Sequence, residues 1–439
     1  MIGKFLNTDI GKRLAGPGLA ALIIKVGGAG LSYVMLVAFA RMLDAESYGQ
    51  FGLMLNLSIV LAAAIGFGLP TMILRLWPEH MVKGQPQIAR GAMLQGLVII
   101  LAGSGVLLLI SAVLSAFGIG EQYFGYRAGA LLVALLAVAS VFADYLSSAL
   151  RVLGHTIASM APRDIFWRIG SPALAFFVLH NTGELSAFTA IVSAIVVLAV
   201  VVIAQAWQTL RETNRETKGL KAAGRWRDWR SFLFPVWASS LLYTMIQQLD
   251  VVVVGAMIGP AEAGSYFAAQ KTASLLGLTM LAGGLVAAPL MAAAFHAGKR
   301  DDLQKLCRYL STAIALTTLA GLLVLALFGR QLLSIFDPAY ANSYAVLMVL
   351  CVGYAVDSLS GPNSYMMQMT GLEGKYLTVM TVVYAAVLSL QIIFIPIYGV
   401  LAAAGANALG SVMWNVAAVW LLRQKTGVDP SVLSLLRRD

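Results

Sequence analysis

The chain has 439 residues, 59% hydrophobic and 11% charged, with 30 Lys and Arg against 20 Asp and Glu and a formal net charge of +10. So little polar surface, at a mean hydropathy of +0.83, excludes a soluble globule. The positive charge does not call for nucleic acid, because the basic residues gather where membrane orientation already requires them.

A helix crosses the hydrocarbon core with about 20 mostly apolar residues. Twelve such runs occur in chain order, at 17–40, 48–69, 91–117, 128–150, 164–180, 186–208, 232–258, 263–292, 309–328, 345–370, 376–397 and 400–422. They consume nearly all of the chain, so no soluble domain is expected. The first run is long enough to stay as a span, and no small-residue cleavage site follows it, so no cleavable signal is expected.

The loops alternate in charge. One set holds Lys4, Lys12 and Arg13, then Arg75, Lys83 and Arg90, then Arg151, Arg163 and Arg168, then seven cations from Arg211 to Arg230. It continues with Lys299, Arg300, Lys305 and Arg308, then Lys375, and ends with Arg423, Lys425, Arg437 and Arg438. The other set holds only Arg41, Arg127 and Arg330. Basic loops stay cytoplasmic, so both termini are expected inside. Cys307 and Cys351 fall at opposite ends of neighbouring spans, which speaks against a disulfide and for packing.

The chain is built twice. Leu43-Asp44-Ala45-Glu46-Ser47-Tyr48-Gly49-Gln50-Phe51, between spans one and two, is echoed 215 residues later by Ile258-Gly259-Pro260-Ala261-Glu262-Ala263-Gly264-Ser265-Tyr266. With six spans in each half, the copies enter the membrane in the same direction, which makes a parallel repeat. The expected organisation is a six-helix lobe at 1–208, a basic cytoplasmic linker at 209–231 and a six-helix lobe at 232–439. The linker's Arg225-Trp226-Arg227-Asp228-Trp229-Arg230 suits a headgroup region, and a plain tether is the simplest reading of it.

Absent motifs narrow the function. There is no Gly-rich nucleotide loop ending in Gly-Lys-Ser/Thr, no zinc-helix motif and no Cys/His cluster. His80, His155, His180 and His296 are scattered. The longest outer loop, about 329–344, holds one cation, Arg330, so an enzyme active site is not expected there. Polar residues inside the spans carry the remaining signal, because a central charge costs at least about 2.5–3.5 kcal/mol.

Span seven places Ser239, Tyr243, Gln247 and Asp250 along one helix face, and span eight adds Tyr266, Gln270 and Ser274 with Lys271 beside them. This set either lines water or includes an Asp250–Lys271 pair that fixes packing. In span ten, Tyr354, Asp357, Gly361 and Ser364 share a face, and Gly361-Pro362-Asn363 interrupts the helix as a kink or a break. Lys25 lies where its stem can snorkel to the interface. Asp144 sits near the inner face, and Asp164 with Arg168 reads as an ordinary surface pair.

Several segments resemble the polysaccharide flippases of the multidrug/oligosaccharidyl-lipid/polysaccharide exporter superfamily. Ala40-Arg41-Met42-Leu43-Asp44-Ala45-Glu46-Ser47-Tyr48-Gly49 is similar to that family's end of span one, and Ile65-Gly66-Phe67-Gly68-Leu69-Pro70 to its following small-residue turn. Leu249-Asp250 with Gly255, Phe336-Asp337-Pro338-Ala339-Tyr340, Gly371-Leu372-Glu373-Gly374-Lys375 and Ile395-Pro396-Ile397-Tyr398-Gly399 continue the match. The family's Asn-rich span eleven is represented only by Ser389 and Gln391, and Ala402 stands where a Gly is usual.

The resemblance implies an all-α polytopic membrane protein of about twelve spans in two pseudo-symmetric lobes, non-enzymatic, in a bacterial inner membrane. It implies export of a polyprenyl-pyrophosphate-linked oligosaccharide, of the O-antigen or exopolysaccharide kind, by alternating access. Its partners would be that substrate, membrane lipids and glycan polymerisation or export proteins, with no cofactor beyond a coupling proton or sodium gradient. Candidate substrate contacts are Lys271, Lys25, Arg41, Tyr243, Gln247, Gln270 and Asn363; candidate coupling residues are Asp250, Asp357 and Asp144. An ion-coupled multidrug or cation exporter of the same superfamily is the alternative, and a non-transporting assembly partner is a third reading.

Overall fold

A computed structural model describes residues 9–224, 226–280, 283, 284, 291, 294, 295 and 297–435. Lys4, Arg225, His296, Arg437 and Arg438 lie outside the described residues. Ten of the described helices are long and apolar enough to cross a membrane. By contacts the chain divides into two compact units, Met1–Val252 and Val253–Asp439.

The first unit holds α1 (Asp9–Met42), α2 (Ala45–Ile65), α3 (Leu69–Val82), α4 (Pro86–Ala116), α5 (Gly129–Val152), α6 (Thr156–Ala161), α7 (Arg168–Thr182), α8 (Ala187–Glu216) and most of α9 (Trp226–Met257). A π-helical turn, Pro162–Trp167, joins α6 to α7, so the fifth apolar run is a composite. The run read as a loop after span two contains a further helix, α3. The chain stops at Gly66, passes through left-handed Phe67 (φ 47°) and Gly68 (φ 70°), and restarts with Pro70 in the first turn. Proline fits there because the first helical N–H groups have no partner to lose. A Cβ at Gly68 would meet the Trp237 backbone nitrogen at 3.0 Å, so this break is gripped from outside. Trp237 Nε1 also donates to the Ala64 carbonyl at 2.9 Å.

The core of this unit lies where α3 wedges between α4 and α5, around Leu69, Met72, Ile73, Met93, Val141 and Tyr145. Lipid supplies no hydrophobic drive between helices, so close approach depends on small residues. Gly96 illustrates this: its Cβ would lie 2.3 Å from the Tyr145 hydroxyl, which instead donates to Met93 O at 2.7 Å. The linker is more than a tether. The Ala223 N–H donates to Gln87 O at 2.9 Å, and a Cβ on Gly91 would overlap the Ala223 carbonyl at 1.9 Å.

The second unit contains α10 (Pro260–Ala273), α11 (Arg300–Phe336), α12 (Tyr344–Ser360), α13 (Asn363–Met369), α14 (Glu373–Tyr398) and α15 (Val400–Thr426). Much of the eighth apolar run beyond Met280 lies outside the described residues. Span ten is broken outright between α12 and α13, with Gly361 at φ 77°. Thr318 donates to Ser358 Oγ at 2.9 Å just before the break. The C-terminal segment packs into it: a Cβ on Gly361 would sit 2.1 Å from the Pro430 carbonyl oxygen. Gln304 holds this segment by accepting from the Asp429 N–H and donating to the Asp429 carbonyl, both at 2.8 Å, and Arg423 pairs with the Asp429 carboxylate. Cys307 and Cys351 are free and buried.

Candidate functional site

In α5, Asp144, Ser147, Ser148 and Arg151 recur at steps of three, one and three and so share one helix face. That face, with the α2–α3 break, α6, the π turn and α9, encloses a cavity of about 240 Å³ in the first unit. Lys25 enters it from α1, Pro70 and Thr71 from the start of α3, Ser159 from α6, Arg163 and Asp164 from the π turn, and Ser240 and Thr244 from α9.

Asp164 lies in the π turn and Arg168 opens α7, and the two are not the surface pair expected from sequence. A π bulge adds a residue to the turn and re-aims the side chains that follow it. Asp164 and Arg168 do pair, at 3.3 Å, but their side chains are only 6% and 18% exposed. Gly28 lets α1 close over them, since a Cβ there would lie 2.6 Å from Arg168 Nη1. Lys25, one turn earlier, reaches Asp164 at 2.9 Å. Arg163 pairs with Asp144.

Lys25, Arg151 and Arg163 line this cavity with two carboxylates, Asp144 and Asp164, and Arg168 pairs with Asp164. Arg151 makes no direct salt bridge among the described residues, and Asp164 and Asp144 both attract it. Ser148 is buried, lines the space and has no hydrogen-bond partner among the described residues. The arrangement therefore offers positive charge and hydroxyl donors in a partly desolvated space, where Coulomb attraction exceeds its value in water.

The remaining candidates are spread over both units. Arg41 is exposed at the end of α1. On α9, Tyr243 and Gln247 are exposed and Asp250 is buried, while the neighbouring Ser240 and Thr244 line the cavity. In the second unit Lys271 Nζ lies 5.3 Å from the Phe267 ring centroid, and Gln270 is buried with no partner for Oε1 among the described residues. Asn363 donates to Asn415 Oδ1 at 2.9 Å, and Asn415 donates to Asp357 Oδ1 at 3.1 Å. This ties Asp357 to the helix break. Reading by sequence missed Arg151, Ser148 and Arg163 as cavity residues, although the spacing in α5 carried the signal for the first two.

A profile of the family described as polysaccharide biosynthesis protein matches residues 18–295. The chain belongs to that family. The MatE profile matches residues 235–412. The probable low-salt glycan biosynthesis flippase Agl15 of Haloferax volcanii is 25% identical over 413 residues, spanning 90% of this chain and 80% of that protein. Among solved structures, an inward-facing multidrug resistance MATE transporter of the MOP superfamily superposes with a TM-score of 0.74 at 17% identity, covering 93% of this chain and 98% of its own. A MOP superfamily transporter from Pyrococcus furiosus, described as having a binding pocket of reverse polarity, gives 0.65 at 16% identity, covering 96% of both chains. The likenesses to solved structures establish the fold, and the family match with ten helices long and apolar enough to cross a membrane makes the chain a multi-pass membrane protein of polysaccharide biosynthesis. The described helices agree with the twelve-span, two-lobe layout expected from sequence.

Proposed function

We propose that this protein is a secondary transporter that carries a polyprenyl-pyrophosphate-linked oligosaccharide from the cytoplasmic to the outer leaflet of the cell's cytoplasmic membrane by alternating access. In this reading six-helix lobes at 1–208 and 232–439 are joined by the 209–231 linker, and both termini are cytoplasmic. The observation that carries it is the surplus of cations around the first unit's cavity, where Arg151 makes no direct salt bridge among the described residues. A pyrophosphate is drawn to such a space and a cationic drug is repelled from it. The glycan flippase relative supports the same choice.

Lys25 and Arg151 hold the pyrophosphate, and Lys271, Arg41, Tyr243, Gln247, Gln270 and Asn363 complete the polar lining. Asp144, Asp250 and Asp357 couple transport to a proton or sodium gradient; the Asp357–Asn415–Asn363 chain at the helix break supports a coupling role. Glycan polymerisation or export proteins receive the product. Deleting the gene should abolish the exported glycan and leave lipid-linked units on the cytoplasmic side, with drug sensitivity unchanged. Arg151→Ala should do the same at normal protein abundance. Deletion that altered only resistance to cationic compounds would transfer the assignment to an ion-coupled multidrug exporter, the reading that the MatE match favours.

A further inference from the structure

The buried face of α8 changes chemistry along its length. Up to Val201 it is mostly small and apolar, with Ala190, Ala194 and Leu198 facing inward; beyond, at steps of four, come Gln205, Thr209 and Thr213, which are 1%, 1% and 2% exposed. Gln205 Nε2 donates to the carbonyls of Ala158 and Ser159 at 3.2 Å, so this stretch lies against α6. Near the other end of the stretch Glu212 Oε2 is 3.6 Å from both His155 Nε2 and Arg215 Nη1.

Three polar atoms in a row, Gln205 Oε1, Thr209 Oγ1 and Thr213 Oγ1, are buried and have no hydrogen-bond partner among the described residues. Helical threonines commonly satisfy themselves by bonding the carbonyl four residues back. Thr217, Thr272 and Thr426 do so here, at 2.6, 2.8 and 2.7 Å. Thr209 and Thr213 do not. An unsatisfied buried polar atom costs about 1–3 kcal/mol, and buried groups that lack a protein partner are where ordered water resides. Four residues of helix rise about 6 Å, the span that one water bridges with two hydrogen bonds of about 2.8–3.0 Å.

We propose that the groove between α8 and α6 holds a file of water running from the Glu212–His155 pair, at the end of the unit that carries the linker, to Ser159, which lines the cavity. The ligand is water and, through it, exchangeable protons. The file does not depend on which substrate the cavity takes.

Two measurements on the full-length protein in detergent test this. In a dry groove, Thr209→Val and Thr213→Val remove an unsatisfied group at constant shape, and the melting temperature rises; a file that loses a bridging oxygen gives no rise. A rise in either variant overturns the proposal. The second test places Thr209→Cys, Thr213→Cys or Leu198→Cys in a Cys307→Ala/Cys351→Ala background and exposes each to silver ion. Subsequent maleimide labelling after unfolding should be lost for positions 209 and 213 and kept for 198. Protection of both 209 and 213 from silver would rule out the file.

Discussion

At the scale of single residues, the Asp164 carboxylate decides how the first unit's cavity is charged. It accepts both Lys25 and Arg168 with only 6% of its side chain exposed. Removing one member of such a buried set strands the others and costs about 3–5 kcal/mol. Asp164→Ala should therefore lower the thermal stability of detergent-solubilised protein sharply, and Asp164→Ala combined with Lys25→Met should recover part of the loss. Additive losses in the double variant would mean that the two groups do not interact. No spacing rule could reveal this arrangement. The i, i+4 relation of Asp164 and Arg168 is visible in the sequence, but the burial comes from α1, which is over a hundred residues away and admitted by the absent side chain of Gly28.

At the scale of elements, α2 begins where its signal says. Asp44 caps α2, its Oδ1 accepting the Ser47 N–H and its Oδ2 the Ser47 hydroxyl, both at 2.9 Å. The backbone bond from Ser47, ahead of the hydroxyl, holds the Asp44 carboxyl below its ordinary pKa. A lowered folded-state pKa gives stability that is present above the unfolded value and is lost as pH falls through the folded one. The cap should thus support α2 at neutral pH and weaken below about pH 4. Asp44→Ala should cost about 1 kcal/mol at pH 7, with the gap between variant and parent narrowing in acid. A gap independent of pH would assign the effect to packing. The break before α13 was legible because Pro362 and Gly361 announce it. The one before α3 was less so: Gly66, Gly68 and Pro70 mark a turn, but only the grip of Trp237 shows that a helix resumes against the core.

For the whole molecule, twelve apolar runs and a lopsided distribution of cations made the fold readable, since span length and loop charge are set by the bilayer and not by tertiary detail. The cavity was not readable, because it needs the π turn and helices from across the first unit meeting at once. Orientation can be checked with single cysteines, the native Cys307 and Cys351 being buried. Positions Lys218, Lys299 and Lys425 should label from the cytoplasm and Glu121, Glu184 and Asp337 from outside. Outside labelling of Lys299 would invert the second half of the map.

The way the C-terminal segment fills the Gly361 gap bears on how such a map is made. The Pro430 carbonyl stands where any other residue at 361 would carry its side chain, and Asp429 is clasped by Gln304 and Arg423. An enzyme reporter spliced at 425 would discard that plug and leave Gln304 and Arg423 with nothing to clasp. Its signal would then come from a protein whose tenth span had lost its filling, so tags belong beyond Leu435 and sidedness is best read on the unabridged chain.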